Sequence, residues 1–179
     1  MKYKIEDNFM DRILFSSVKD TLTGDTFFWF YNDFINYRPC DGYKFTNEII
    51  KDSNLTNYYF LNYLNMIKPA LEKIPHKKLH SVRFNLFLKT IKPEKHTINN
   101  HKKNTKVSIL FANNTDGGIE IDNAFIKSTE NQLISFDSNV EYKVVTPTDL
   151  KIFTYAIINY EWFSNTFYFS NTYWYLRNK

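Results

Sequence analysis

All four histidines, His76, His80, His96 and His101, fall between Lys73 and Lys106. Imidazole binds divalent metals and moves protons near neutral pH. His76 and His80 stand four residues apart, a spacing that sets two ligands on one helical face, and His96 and His101 offer two further donors. No Cys or Asp lies beside them to complete a zinc site, and the surrounding lysines repel a cation. Four solvated or half-buried histidines on a basic surface is the simpler reading. The basic residues are Lys73, Lys77, Lys78, Arg83, Lys89, Lys92, Lys95, Lys102, Lys103 and Lys106, against the single acid Glu94. That stretch carries +9 in a chain whose net charge is +4. Such a concentration suits phosphate or an acidic protein surface, or simply a solvated face.

Other chemistries find little support. No G-x-x-x-x-G-K-[ST], G-x-G-x-x-G or G-x-S-x-G occurs, so phosphate cradles and a nucleophile elbow are absent from the sequence. The one cysteine, Cys40, forms no intramolecular disulfide and points to a reducing compartment. Asp116 and Asp122 flank a Gly turn, which a hairpin explains without calcium.

The elements that must position these residues can be read from periodicity. A helix is expected over 8–20, capped by Asn8, with Phe9, Ile13, Leu14 and Val18 on its apolar face. Residues 26–31 (TFFWFY) suit a strand, and the stretch around Arg38-Pro39-Cys40-Asp41-Gly42 a loop. A second helix is expected over 55–73, capped by Ser53 or Asn54 and kinked or divided at Pro69. From Leu79 the pattern turns to strands, over 79–88, 105–113, 119–121, 124–127, 133–136, 140–145 and 150–160. Helices first and closely spaced short strands after predict an α+β domain with a sandwich or barrel of strands. One domain over 1–179 accounts for the whole chain. Its last part, 161–179, is an aromatic extension in which Phe163-Ser-Asn-Thr-Phe-Tyr is followed by Phe169-Ser-Asn-Thr-Tyr-Trp174. It reads as extra strands or as a strip that docks on a partner.

Five segments together resemble the small prolyl-4-hydroxylase-like 2-oxoglutarate/Fe(II) oxygenases of marine bacteria and phages. They are Tyr3–Phe9, Phe28–Asp33, Val82-Arg-Phe-Asn-Leu-Phe87, Ser108–Gly118 and Asn131–Asn139, and their order and spacing cover most of 3–160. The resemblance implies a double-stranded β-helix, a jelly roll of the cupin type, with the N-terminal helices packed on one sheet. It also implies an iron site of two His and one carboxylate, the first two ligands forming an H-x-D or H-x-E. No H-x-D or H-x-E occurs, and no histidine follows His101. The positions matching the metal site are Asn99, His101 and Tyr142, and Phe153 matches the cation that grips 2-oxoglutarate. Lys151 could replace that cation only if its side of the strand faces inward.

The expectation is therefore a non-catalytic oxygenase-like jelly roll acting in binding or assembly, with neither Fe(II) nor 2-oxoglutarate as cofactor. A phage virion or accessory structural role would fit. The contact surfaces expected are Lys89, Lys92, Lys95, Lys102, Lys103 and Lys106, together with Phe163, Phe169 and Trp174. A protein partner or self-assembly is expected first, and nucleic acid at the 89–106 loop second. The alternative is an Fe(II)/2-oxoglutarate hydroxylase with an atypical site, using His101, His96 and a carboxylate from Asp137 or Glu141. With no signal peptide and no apolar run of ~20 residues, an intracellular soluble or virion-associated protein is expected, with no membrane contact.

Overall fold

The runs of β-branched and aromatic residues after Leu79 suit strands, and the computed structural model arranges them in two facing sheets whose central strands are buried on both faces. It describes residues 2–33, 35, 42–98 and 101–163. In chain order the elements are β1 (Tyr3–Glu6), α1 (Arg12–Thr23), β2 (Phe30–Asn32), β3 (Lys44–Lys51) and β4 (Asn54–Leu55). A 3₁₀ turn (Tyr58–Phe60) then leads into α2 (Leu61–Lys73). The remaining strands are β5 (Lys78–Leu88), β6 (Lys95–Ile98), β7 (Lys106–Phe111), β8 (Gly118–Ile121), β9 (Ala124–Lys127), β10 (Leu133–Asp137), β11 (Tyr142–Val145) and β12 (Ile152–Glu161).

The larger sheet has the order β1-β10-β7-β12-β5-β3-β2, with β4 paired to β3, and the smaller is β6-β11-β8-β9. All pairings are antiparallel. Two apolar cores result. One fills the space between the sheets, from Phe87, Ile109, Phe111, Ile119, Tyr142 and Phe153 among others. The other lies between the opposite face of the large sheet and the helices, where Val82, Phe84 and Ile158 meet Val18, Leu22, Ile67 and Ala70. This is the α+β double-stranded β-helix with its helices on one sheet.

The strand expectations from 79 onward hold within two residues, but the N-terminal half needs correction. The first helix starts at Arg12 because Asp11, not Asn8, accepts the N–H groups of Ile13 (2.9 Å) and Leu14 (3.4 Å). Asn8 sits in a turn at φ 50°. The buried face of α1 is Phe15, Val18 and Leu22, whereas Ile13 is 81% exposed. Only 30–32 of the aromatic run 26–31 and its neighbour are strand. Residues 54–55 pair with β3, Asn57 caps the 3₁₀ turn, and α2 passes through Pro69 undivided. Strands β1, β3 and β6 carry no periodic signal of their own.

Tight turns close the small sheet. Asp122 (φ 53°) and Asn123 (φ 64°) are both left-handed, the type I′ geometry that joins β8 to β9. A Cβ on Gly118 would collide with the Ile126 carbonyl oxygen across that hairpin. No helix among the described residues is long and apolar enough to cross a membrane.

Candidate functional site

Cross-strand partners share a face of a sheet, so the register of the large sheet lays out the inner wall of the β-helix step by step. Phe87 is opposite Phe153. One step along, Asn85 is opposite Tyr155 on one side and Thr46 on the other. At the next step Arg83 is opposite Ile157 and Glu48. The wall thus grades from aromatic to charged along β5.

The aromatic end is packed solid. The Phe153 ring centroid lies 5.2 Å from Tyr155, 5.8 Å from Phe111 and 6.4 Å from Phe87, and Phe87 stacks on His96 at 6.1 Å. Phe87, Phe111, Phe153 and Tyr155 are all buried. Such rings contribute large buried areas and edge or offset contacts. Phe153, which matches the 2-oxoglutarate anchor, is therefore core. Lys151 precedes β12, is exposed, and accepts a hydrogen bond from Lys89 N–H through its carbonyl. It does not replace the cation.

At the centre, Tyr142 is buried and its hydroxyl lies 3.1 Å from His101 Nε2, with the rings stacked at 5.6 Å and 17°. Tyr142 sits on β11 opposite Ile98, the last residue of β6, so sheet pairing brings the two distant segments together. Asn99 lies outside the described residues. Burial, then the nearby Tyr155, pushes the Tyr142 phenol well above its usual range. Burial likewise raises the Tyr155 phenol. Burial, then the charges of Arg83 and Lys44, lowers His101 to about 4. At neutral pH the imidazole is uncharged and the phenol protonated. In the tautomer carrying its proton on Nδ1, His101 accepts the Tyr142 hydroxyl through the Nε2 lone pair.

At the charged end lies a cleft of about 160 Å³ lined by residues of β3, β5, β12 and the His101-Lys102 segment. Arg83 Nε is buried there without a hydrogen-bond partner, and Asn85 Oδ1, two residues along the same face, is likewise unpartnered. Behind them the Lys44 ammonium donates to the Ile35 carbonyl at 2.8 Å. Burial, then the Arg83 charge, lowers Lys44 to about 7, and Glu48 offsets part of that. Arg83, Lys44 and Glu48 were not singled out by sequence reasoning. The available signal was Arg83-x-Asn85-x-Phe87, two polar groups on the same side of an otherwise apolar strand.

The remaining sequence candidates are dispersed. His76 lies in the loop before β5 with Nδ1 2.7 Å from the Ile74 carbonyl, and His80 lies on β5 with Nε2 2.9 Å from Glu161, so the two share no helix. The 89–106 segment is not a single loop, since β6 runs through it. Lys95 is paired with Glu120 (2.5 Å) and Lys106 with Asp137 (2.6 Å). Lys89 follows the far end of β5, while Lys102 lines the cleft beside Ser81 and Arg83. Six residues of strand separate those ends, about 20 Å, so the lysines do not form one patch. Lys92 and Lys103 are exposed. Phe163 is 51% exposed, and Phe169, Trp174 and Cys40 lie outside the described residues.

These residues do not fit an Fe(II) facial triad. The positions expected to ligate offer one imidazole and a protonated phenol, and Asn is neutral in any conformation. Asp137 is paired to Lys106 on the outside of the sheet, next to core residue Phe136, and Glu141 is exposed. Among the described residues no three His, Cys, Asp or Glu side chains cluster closely enough to hold an ion. An apolar Phe153 in the packed wall does not fit the far carboxylate of 2-oxoglutarate.

Comparison with known proteins gives the fold a wider setting. No family model matches the sequence, and no curated protein matches it significantly. Among solved structures, the chain is similar to a 2OG-Fe(II) oxygenase-family oxidoreductase from Burkholderia pseudomallei, at 12% identity and TM-score 0.61, over 89% of this chain and 85% of that one. It is similar to a prolyl-4-hydroxylase from Pseudomonas putida, at 10% identity and TM-score 0.55, over 90% and 92%. It also matches a Trichoplax adhaerens prolyl hydroxylase solved with a hypoxia inducible factor peptide, at 11% identity and TM-score 0.53, over 89% and 84%. The architecture is that of the 2-oxoglutarate/Fe(II) oxygenases, as the sequence resemblance implied. At these identities the likeness concerns the fold.

Proposed function

We propose that this chain is a non-catalytic protein on the oxygenase double-stranded β-helix, one that acts by binding or assembly and not by turnover. The observation that supports this reading is the closure of the place where chemistry would occur. Tyr142 and His101 are hydrogen-bonded to each other, and the wall behind them is filled by Phe87, Phe111, Phe153 and Tyr155. A ligand set of this kind binds a hard divalent ion poorly, because neither a protonated phenol nor an engaged imidazole supplies negative charge.

The test is a thermal-shift titration with Mn(II) or Co(II) in place of Fe(II), with and without 2-oxoglutarate. A ligand that binds only the native state raises apparent stability by mass action. No shift at millimolar metal and 2-oxoglutarate is the expected result. A saturable rise requiring both together would refute the proposal and support the second reading, an Fe(II)/2-oxoglutarate hydroxylase with an atypical site. What favours that second reading is the fold likeness to a prolyl-4-hydroxylase over most of both chains.

A further inference from the structure

We infer that the cleft beside Arg83 binds a small oxyanion, a carboxylate or phosphate carried by a low-molecular-weight ligand, with the Arg83 guanidinium as its anchor. This rests on the binding reading above and names the chemistry of what is bound.

The first ground is an unpaired cation. Arg83 comes from the middle of β5 and is half-buried, with Glu48 opposite it on β3, and a cation taken part-way out of water gains from a paired anion. Its Nε is buried without a partner, and it forms no ion pair among the described residues. Guanidinium presents its N–H groups as a planar fork that matches the two oxygens of a carboxylate or phosphate.

The second ground is the charge around it. The cleft is lined by Lys51, Arg83 and Lys102 against Glu48 and Asp52, and Lys44 stands behind with its ammonium held to the Ile35 carbonyl. His80 is held by Glu161 and His101 by Tyr142. Among the lining side chains three cations face two carboxylates, a net charge of +1 that an anion would neutralise. The mutual repulsion of Arg83 and Lys44 points the same way.

The third ground is size and shape. About 160 Å³ corresponds to the volume of roughly five waters. That space fits inorganic phosphate or a short carboxylic acid, not an extended acidic chain. Ile157 gives one apolar contact for a short carbon body, and Ser81 and Asn159 give polar ones.

The experiment uses the full chain in EDTA, so that a metal-dependent response cannot contribute. Inorganic phosphate and succinate are titrated separately to 20 mM at constant ionic strength set with NaCl. Melting temperature and the Arg83 Nε–Hε NMR resonance are both followed. For at least one anion we expect a saturable rise of about 3–6 °C at ten times Kd, with the Arg83 resonance moving on the same isotherm. Which anion responds distinguishes a phosphate from a carboxylate ligand. Arg83→Gln should abolish the response. Lys102→Gln, at an exposed position that leaves folding intact, should weaken it about 3-fold. No response in either readout, or a response retained in Arg83→Gln, would overturn the assignment. Binding of a poly-glutamate peptide with none of succinate or phosphate would overturn the small-ligand part of it. Failure here leaves the metal titration untouched, and a metal-requiring response there leaves this metal-free result untouched.

Discussion

His101 offers the sharpest check on whether the centre of the β-helix is closed, because its neutral state is a direct consequence of that closure. Its folded value is about 4, against 6.5 for an unperturbed imidazole. The folded value is depressed, so the unfolded chain binds the proton more readily. The resulting stability is fully present above about pH 6.5 and is lost as pH falls through 4. With those two values, the fall between pH 8 and pH 4.5 is about 2–3 kcal/mol. The assay is urea unfolding at both pH values for the wild type and for His101→Gln, which keeps a hydrogen-bonding group but cannot titrate. Carboxylates titrate in both proteins and cancel in the difference. The wild type should lose about 2–3 kcal/mol more than the variant on acidification. Equal losses, or an NMR titration of His101 near 6.5, would refute the argument that burial and the Arg83 and Lys44 charges hold the imidazole neutral. The case for a closed centre would then fall with it.

Three further outcomes follow from the packing and hydrogen bonds. Phe153→Ala removes a fully buried ring between Phe87, Phe111 and Tyr155; urea unfolding should show a loss of about 3–5 kcal/mol, and a loss below 1 kcal/mol would mean the wall is not packed. Asn131→Ala removes a side chain that accepts from Met10 N–H (2.8 Å) and donates to the Met10 carbonyl (2.9 Å), in a residue at φ 59°. The expected loss is about 2–4 kcal/mol for two buried groups left unsatisfied, again read by urea unfolding. For Asp116, burial pushes the carboxyl up, but hydrogen bonds from the Thr148 hydroxyl and N–H and from Asp149 N–H outweigh it and hold the group well below the usual carboxylate range. That stability is present above the usual carboxylate range and lost as pH falls below it. Asp116→Asn should therefore be less stable than wild type at pH 7, with the gap narrowing at pH 2–3 in thermal melts.

Much of the fold was legible because it is written in local signals. Short runs of apolar, β-branched and aromatic residues with turn residues between them mark β5 and β7 to β12, and Asp122-Asn123 marks a turn by residue type alone. The absence of H-x-D and H-x-E, and the lack of any histidine after His101, were equally plain, since a missing side-chain type needs no structure to establish. Strands β1, β3 and β6 were not legible. Each is stabilised by its neighbours, β1 by β10, β3 by β5 and β6 by β11, and pairing of that kind leaves no period in the strand itself. In α1 the two exposed residues Ile13 and Leu14 imitated an apolar face, and the true start depended on which of Asn8 and Asp11 turned its oxygen toward the free N–H groups.

The site divides in the same way. Sequence by itself determined that the chain has no H-x-D or H-x-E and no histidine after His101; the matching of Phe153 to the 2-oxoglutarate cation is what the resemblance implies. Only tertiary structure decided what fills the space. Tyr142 meets His101 because β11 pairs with β6, and Arg83 reaches the cleft because the register of β3, β5 and β12 sets it between Glu48 and Ile157. An arginine in a basic stretch reads as a surface charge until the register turns it inward. Whether a charge is solvated or held in a cleft depends on long-range pairing, and no spacing along the chain encodes it.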